Sequence, residues 1–175
     1  MPAAADKLAD LYGLVETIET AMMTTRRPDG HLVTRPMATQ TRDPIADLWF
    51  VTSVETHKVE DLASDPHVNL GYYDPGSYEW VSVSGTATLS QDRAEIRRLY
   101  QPDWKAWFGD EGGDRDGGPD DPRLALLLVR IHEADYMKAR HSKPVALFHV
   151  ARGLLTGEEP DLGREEHIAP GETPS

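Results

Sequence analysis

The sequence predicts a mostly β fold, a small barrel with helices at its rim, and three observations predict it. Across residues 80–90, Val81, Val83 and Gly85 alternate with Ser82, Ser84 and Thr86, the period of a strand with one wetter face. The run LWFVTSV at residues 48–54 is dense in aromatic and β-branched residues, which suit a pleated surface. Turn signals at Pro28-Asp29-Gly30, Asp43-Pro44 and Pro75-Gly76 cut the chain into pieces of strand length.

The elements follow in order. Residues 6–16 carry Leu8, Leu11, Tyr12 and Val15 on one helical face. AMMTTR and LVTRPMATQ flank Pro28-Asp29-Gly30 and read as a hairpin. Pro36 inside its second arm argues for an edge strand or a bulge, because proline cannot donate to a ladder. After LWFVTSV, residues 56–63 form a short helix with Thr56 as N-cap, Lys58 in the first turn, and Val59 and Leu62 on one face. HVNLGYYD and the run 80–90 are strands, and residues 92–100 a helix bearing Ile96, Leu99 and Tyr100. Trp104 and Trp107 follow, and then a Gly/Asp-rich stretch, 109–122, reads as a loop. LALLLVRIHEADYMKA reads as a returning strand, although its composition suits a helix almost as well. Residues 143–156 read as a helix. The barrel domain is placed at residues 1–156, and 157–175 are expected to be an acidic, disordered tail.

Composition narrows the function. The 175 residues contain no cysteine, which excludes disulfides and thiolate metal sites. The start of the chain lacks a signal-peptide core and no apolar run reaches membrane-spanning length, so a soluble cytoplasmic protein is expected. The net charge of −12 is concentrated in two stretches: 109–123 holds six acids against two arginines, and 157–175 six acids against one. Both are expected to be mobile. The remainder is nearly balanced, and no basic footprint for nucleic acid is present.

Two places carry candidate chemistry. Where LWFVTS meets the helix start at Thr56-His57-Lys58, free N–H groups, the positive end of the helix dipole, Lys58, and the hydroxyls of Thr52, Ser53 and Thr56 could hold a phosphate. The same residues also fit an ordinary strand-to-helix connection with a solvated lysine. On the preceding strand, Arg35 beside Pro36 and Met37 could present its planar fork to a second phosphate oxygen, or be an exposed edge arginine. Trp104 and Trp107 could cover a flat heterocycle or simply pack. The Asp114-Arg-Asp116 stretch lacks calcium-loop spacing, and the histidines show no close ligand pair, so no metal is expected. Hydrolase, phosphate-loop and Rossmann motifs are missing from the sequence.

Taken together, AMMTTRRPDGHLVTRPM, DLWFVTSVETHKVEDLASDPHVNLGYYDP, VSVSGTATLSQDRAEIRRLY, WKAWF, DPRLALLLVRIHEADYM and ALFHVARGLLTGEEPDLG resemble the general stress protein 26 branch of the pyridoxamine 5′-phosphate oxidase-like, FMN-binding split barrels. The resemblance spans residues 5–163 and rests on the ordered series. It implies a six-stranded split β-barrel that is homodimeric, with flavins in clefts at the subunit interface. By position, Arg35, Pro36 and Met37 would lie along the isoalloxazine, and Phe50, Val51, Thr52 and Ser53 would line the ribityl chain. His57 and Lys58 would grip the phosphate, and Trp104 or Trp107, from the partner subunit, would close over the ring. The arginine-rich C-terminal stretch of the true pyridoxamine phosphate oxidases has no counterpart, so vitamin B6 oxidation is not expected. The expected function is an FMN-binding stress protein, either an oxidoreductase reduced by NAD(P)H or a small molecule, or a flavin carrier or sensor without turnover. FAD and deazaflavin F420 are alternative cofactors. Haem, which would need an axial His57 or His132, and an empty dimer scaffold are the remaining readings.

Overall fold

A computed structural model describes residues 3–139 and 163–173. Helix α1 (Ala4–Ile18) turns Leu11, Tyr12 and Val15 of the expected face inward together with Leu14, while Leu8 is partly buried against the core. Strands β1 (Thr20–Arg26) and β2 (Leu32–Ala38) form the hairpin, pairing Met22 with Pro36 and Met23 with Arg35. Gly30 supplies the positive φ of 89° that the turn needs, and Asp29 Oδ1 accepts the His31 N–H. Then come β3 (Leu48–Ser53), α2 (His57–Ser64), β4 (His67–Tyr73) and β5 (Trp80–Ser90). Helix α3 (Arg93–Leu99) is capped by Asp92, whose side chain accepts from Ala94 and Glu95 N–H. A 3₁₀ turn (Pro102–Trp104) and the short α4 (Lys105–Phe108) lead to β6 (Leu124–Ala139) and β7 (Gly163–Ile168).

The sheet is antiparallel throughout, in the order β2-β1-β4-β5-β6-β3, with β7 also on β6. β2 ends the path, so Pro36 sits on an edge where its missing N–H breaks no ladder. β6 is a strand and not a helix because three others need it: β3 pairs with its first half, β5 runs along it, and β7 takes its end.

Three expectations are corrected. The sheet has seven strands among the described residues, and no ladder closes β2 onto β3; a single backbone bond from Gln40 N–H to the Trp49 carbonyl, 3.1 Å, spans that opening. The region from 157 on, expected to be a disordered tail, contains β7. Its polar sequence reads as solvated, yet Ile168 is fully buried and Arg164 and Glu166 find partners in Asp10 and Lys7 of α1. The 109–123 stretch, expected to be mobile, is tied down around Arg123, whose guanidinium donates to the carbonyls of Phe108, Gly109 and Arg115. The helix expected over 143–156 lies outside the described residues.

β3 is covered on both sides. Leu48 and Phe50 enter the main core under α1, while Trp49 joins Ile96, Trp104, Leu124 and Leu126 in a second core beneath α3. Both faces being packed, the end of β3 and the turn into α2 start from a fixed place.

β5 and β6 meet at a bulge, where Ser84 pairs with Glu133 and Gly85 with Ile131, leaving His132 as the extra residue. Asp47 Oδ2 accepts the Ile131 N–H there at 2.8 Å. A Cβ on Gly85 would press into the Arg130 carbonyl oxygen, which as backbone cannot step aside. Gly85→Ala should therefore lower stability by about 1–3 kcal/mol, seen as a lower urea midpoint with unchanged slope. A midpoint equal to wild type would show that the two strands have room at the bulge.

Candidate anion and cofactor site

The sequence of each strand determines what points into the β2–β3 opening. Alternation along β1 buries Ala21, Met23 and Thr25, and the pairing of Met23 with Arg35 puts the arginine on that same face. On β3 the alternation that buries Phe50 also buries Thr52. Helix α2 contributes Lys58 and, one turn on, Asp61, both buried.

These five residues form one cluster. Arg35 donates to Asp61 Oδ2 at 2.9 Å and to Thr25 Oγ1 at 2.8 Å, and Thr25 passes its own hydrogen to Asp61 at 2.9 Å. Lys58 Nζ donates to Thr52 Oγ1. Burial alone would raise the Asp61 pKa, but its bonds from Arg35 and Thr25 outweigh this and hold it below the usual carboxylate value. Lys58 is 6% exposed and has no ion pair among the described residues. Burial, with the neighbouring Arg35 charge second, pulls its pKa from 10.5 to about 8.

Two cations against one carboxylate leave a surplus positive charge under cover. A buried charge without a counter-ion is costly, and an anion with several acceptor oxygens would match the fork of Arg35 and the ammonium of Lys58. The first turn of α2 adds to this. Thr56 occupies the N-cap position but makes no side-chain cap bond; its hydroxyl donates to the Ser53 carbonyl at 3.0 Å. The donor set therefore fits the phosphate end of a nucleotide cofactor.

The other expected residues are arranged differently. Met37 is buried beside Arg35's face, whereas Pro36 is exposed on the outer face of β2. Phe50 is fully buried in the main core, and Val51 packs against the second core. Ser53 is half-buried and accepts the Glu55 N–H. His57 is exposed, within 3.6 Å of Glu60, and takes no part in the cluster. Trp104, expected to cover a ring, is 3% exposed: it meets Trp49 and Tyr100 edge-on and its Nε1 donates to Gln40. Its indole serves the second core. Trp107 is 82% exposed. Thr25 and Asp61 escaped the sequence reading. Their signals, period-two burial along β1 and the i, i+3 relation to Lys58, become informative only once β1, β2 and α2 are known to converge.

Past the cluster, β2 leads by way of Ala38, Thr39 and Gln40 to a cleft of about 600 Å³, which shares Tyr12, Arg42 and Asp47 with a second of about 910 Å³. The Arg42 guanidinium lies 3.8 Å from the Tyr12 ring centre, a cation–π contact. Among the described residues no group of three or more acidic or histidine side chains is placed to hold a metal ion, and no helix is long and apolar enough to cross a membrane.

Comparison with known proteins agrees with this architecture. Residues 6–161 match the family model described as pyridoxamine 5′-phosphate oxidase like. Protein bli-3 of Neurospora crassa is 37% identical over 172 residues, 97% of this chain and 82% of its own length. A solved structure assigned as general stress protein 26, from Jannaschia sp. CCS1, is 26% identical with a TM-score of 0.71, over 94% of this chain and 99% of that one. The general stress FMN/FAD binding protein of Xanthomonas citri is 26% identical with a TM-score of 0.60, over 75% of this chain and 88% of its own. The chain therefore belongs to the pyridoxamine 5′-phosphate oxidase-like family and is related within it to general stress protein 26.

Proposed function

We propose that the chain binds FMN by its phosphate at Arg35, Lys58 and the start of α2, as a homodimer with the flavin at the subunit interface. The observation that carries the reading is Lys58, buried and without an ion-pair partner among the described residues. Arg35 is fixed by Asp61 and Thr25 before any ligand arrives, so little ordering is needed on binding. Thr52, now accepting from Lys58, steers that ammonium. The FMN/FAD binding relative supports a flavin.

Bound flavin would supply the electron-accepting chemistry, and the protein orientation, electrostatics and access. The clefts beyond Gln40 give a reductant or substrate a place to approach. An exposed apolar face, with Met22 on β1, Leu32 and Pro36 on β2 and Tyr73 on β4, supports the dimer. Trp107, exposed on α4, is the tryptophan free to reach a partner subunit. The oxidoreductase and the non-catalytic carrier divide on whether NAD(P)H bleaches the bound flavin. The first test is the visible spectrum of the purified protein before and after FMN addition and dialysis; a colourless protein that retains no FMN overturns the proposal.

Two outcomes follow for the phosphate contacts. Lys58→Ala should weaken FMN binding by about 1.5–3 kcal/mol, the range of a charge-assisted bond, while riboflavin, which lacks the phosphate, changes little. Fluorescence titration of both ligands reads this, and an equal loss for riboflavin would remove the phosphate assignment. The pH dependence carries a sign. Above about 8 the ligand-free protein holds Lys58 neutral, so binding must also take up a proton. FMN affinity should then fall as pH rises past 8, approaching about tenfold per unit, with riboflavin flat and the slope absent in Lys58→Met. An FMN affinity flat from pH 7 to 9.5 in wild type would contradict it.

A further inference from the structure

The turn that leads into α2 carries a carboxylate in an awkward place. Glu55 lies one residue before the N-cap Thr56 and three before Lys58, on the segment that enters the proposed phosphate site, so that an unmatched negative charge there would oppose an incoming phosphate. It is not left bare. Arg115, from the 109–123 stretch, donates from Nη1 and Nη2 to the two Glu55 oxygens, both at 3.0 Å. Arg115 is itself held by Glu111 through Nε at 2.7 Å. Glu111 also accepts from Arg123 at 2.7 Å, and Arg123 pairs with the fully buried Asp121 at 2.7 Å. Charges thus alternate from Asp121 inside the protein to Glu55 on the turn. The Arg123 carbonyl accepts the Val54 N–H at 2.9 Å, fastening the same turn through its backbone.

We infer that Arg115 is a positioning residue of the anion site: it neutralises Glu55 and holds the turn before Lys58, so that the acidic 109–123 stretch favours phosphate binding. This rests on the phosphate reading above. Exposed ion pairs contribute little to folding, so the contribution of this one belongs in the field at the neighbouring site, where a bidentate clamp fixes the position of the charge it cancels. Removing Arg115 leaves Glu55 unmatched beside the site; removing both leaves neither charge.

The test is a cycle of Arg115→Gln, Glu55→Gln and the double variant, with FMN and riboflavin titrated at low salt and a thermal melt on each protein. Arg115→Gln is expected to lower FMN affinity about three- to tenfold, with riboflavin within about twofold, because its ligand carries no charge to repel. Adding Glu55→Gln should restore FMN affinity to within about twofold of wild type, and Arg115→Lys should retain most of it. An Arg115→Gln protein that binds FMN as wild type does overturns the inference. So does a loss that Glu55→Gln does not restore, or that riboflavin shares, since either marks a general loosening of the turn. Lys58→Ala is run alongside: if it too leaves FMN affinity unchanged, the phosphate reading fails; if it weakens binding while Arg115→Gln does not, only the role of Arg115 falls.

Discussion

The structure depends on β6. Its first residues pair with β3, most of its length with β5 and its last with β7, so strands far apart in sequence are placed by one another through it. The side chains entering both cores from this strand, Leu124, Leu126, Leu127 and Val129, are all fully buried. Its position also governs the site, because β3 ends against Leu124 and the next residue back, Arg123, bonds Val54 at the turn into α2. The cluster of Arg35, Thr25, Asp61, Thr52 and Lys58 is thus positioned in part by a strand that contributes no residue to it.

Within that frame the cluster is built against the usual preference of a protein interior. Burial disfavours the charged form of Lys58, and Arg35 beside it adds repulsion. Asp61 answers only Arg35, by a direct bond. An apolar residue in place of Lys58 would suit the fold better than an ammonium with no ion-pair partner among the described residues. A lysine at this position is what the proposed anion site rests on, and its depressed pKa would make the protonation state responsive to a bound anion.

What could be read from the sequence follows local pattern. The period of 80–90, the Pro-Asp-Gly turn, the edge position of Pro36 and the helix starting after Thr56 all come from interactions a few residues apart, and Arg35 and Lys58 were visible as a cation on each side of them. Thr25 and Asp61 were not, because their role arises from three segments meeting in space. Trp104 could not be placed from sequence for the same reason: an indole suits a cofactor face and a second core equally, and in this fold it packs against Trp49 and bonds Gln40. The polar strand β7 looks like solvated tail until Lys7 and Asp10 of α1 are set opposite it.

The acidity of the chain was the least informative of its global properties. A net charge of −12 argues against an anionic ligand at long range, but screening confines that effect to roughly 8 Å at physiological salt. At shorter range four of the six acids of the 109–123 stretch are engaged by cations: Glu111 by two arginines, Asp116 by Lys105, Asp120 by Arg97 and Asp121 by Arg123. A carboxylate bonded to a guanidinium presents almost no field to a neighbour beyond it. A phosphate bound at the start of α2, as proposed, would therefore meet the local sum of Arg35, Lys58, Asp61, Glu55 and Arg115, which is positive, in a protein whose total is strongly negative. Under that proposal, selectivity for a phosphate would be set by which charges remain unmatched, and among the described residues of this cluster that charge is Lys58.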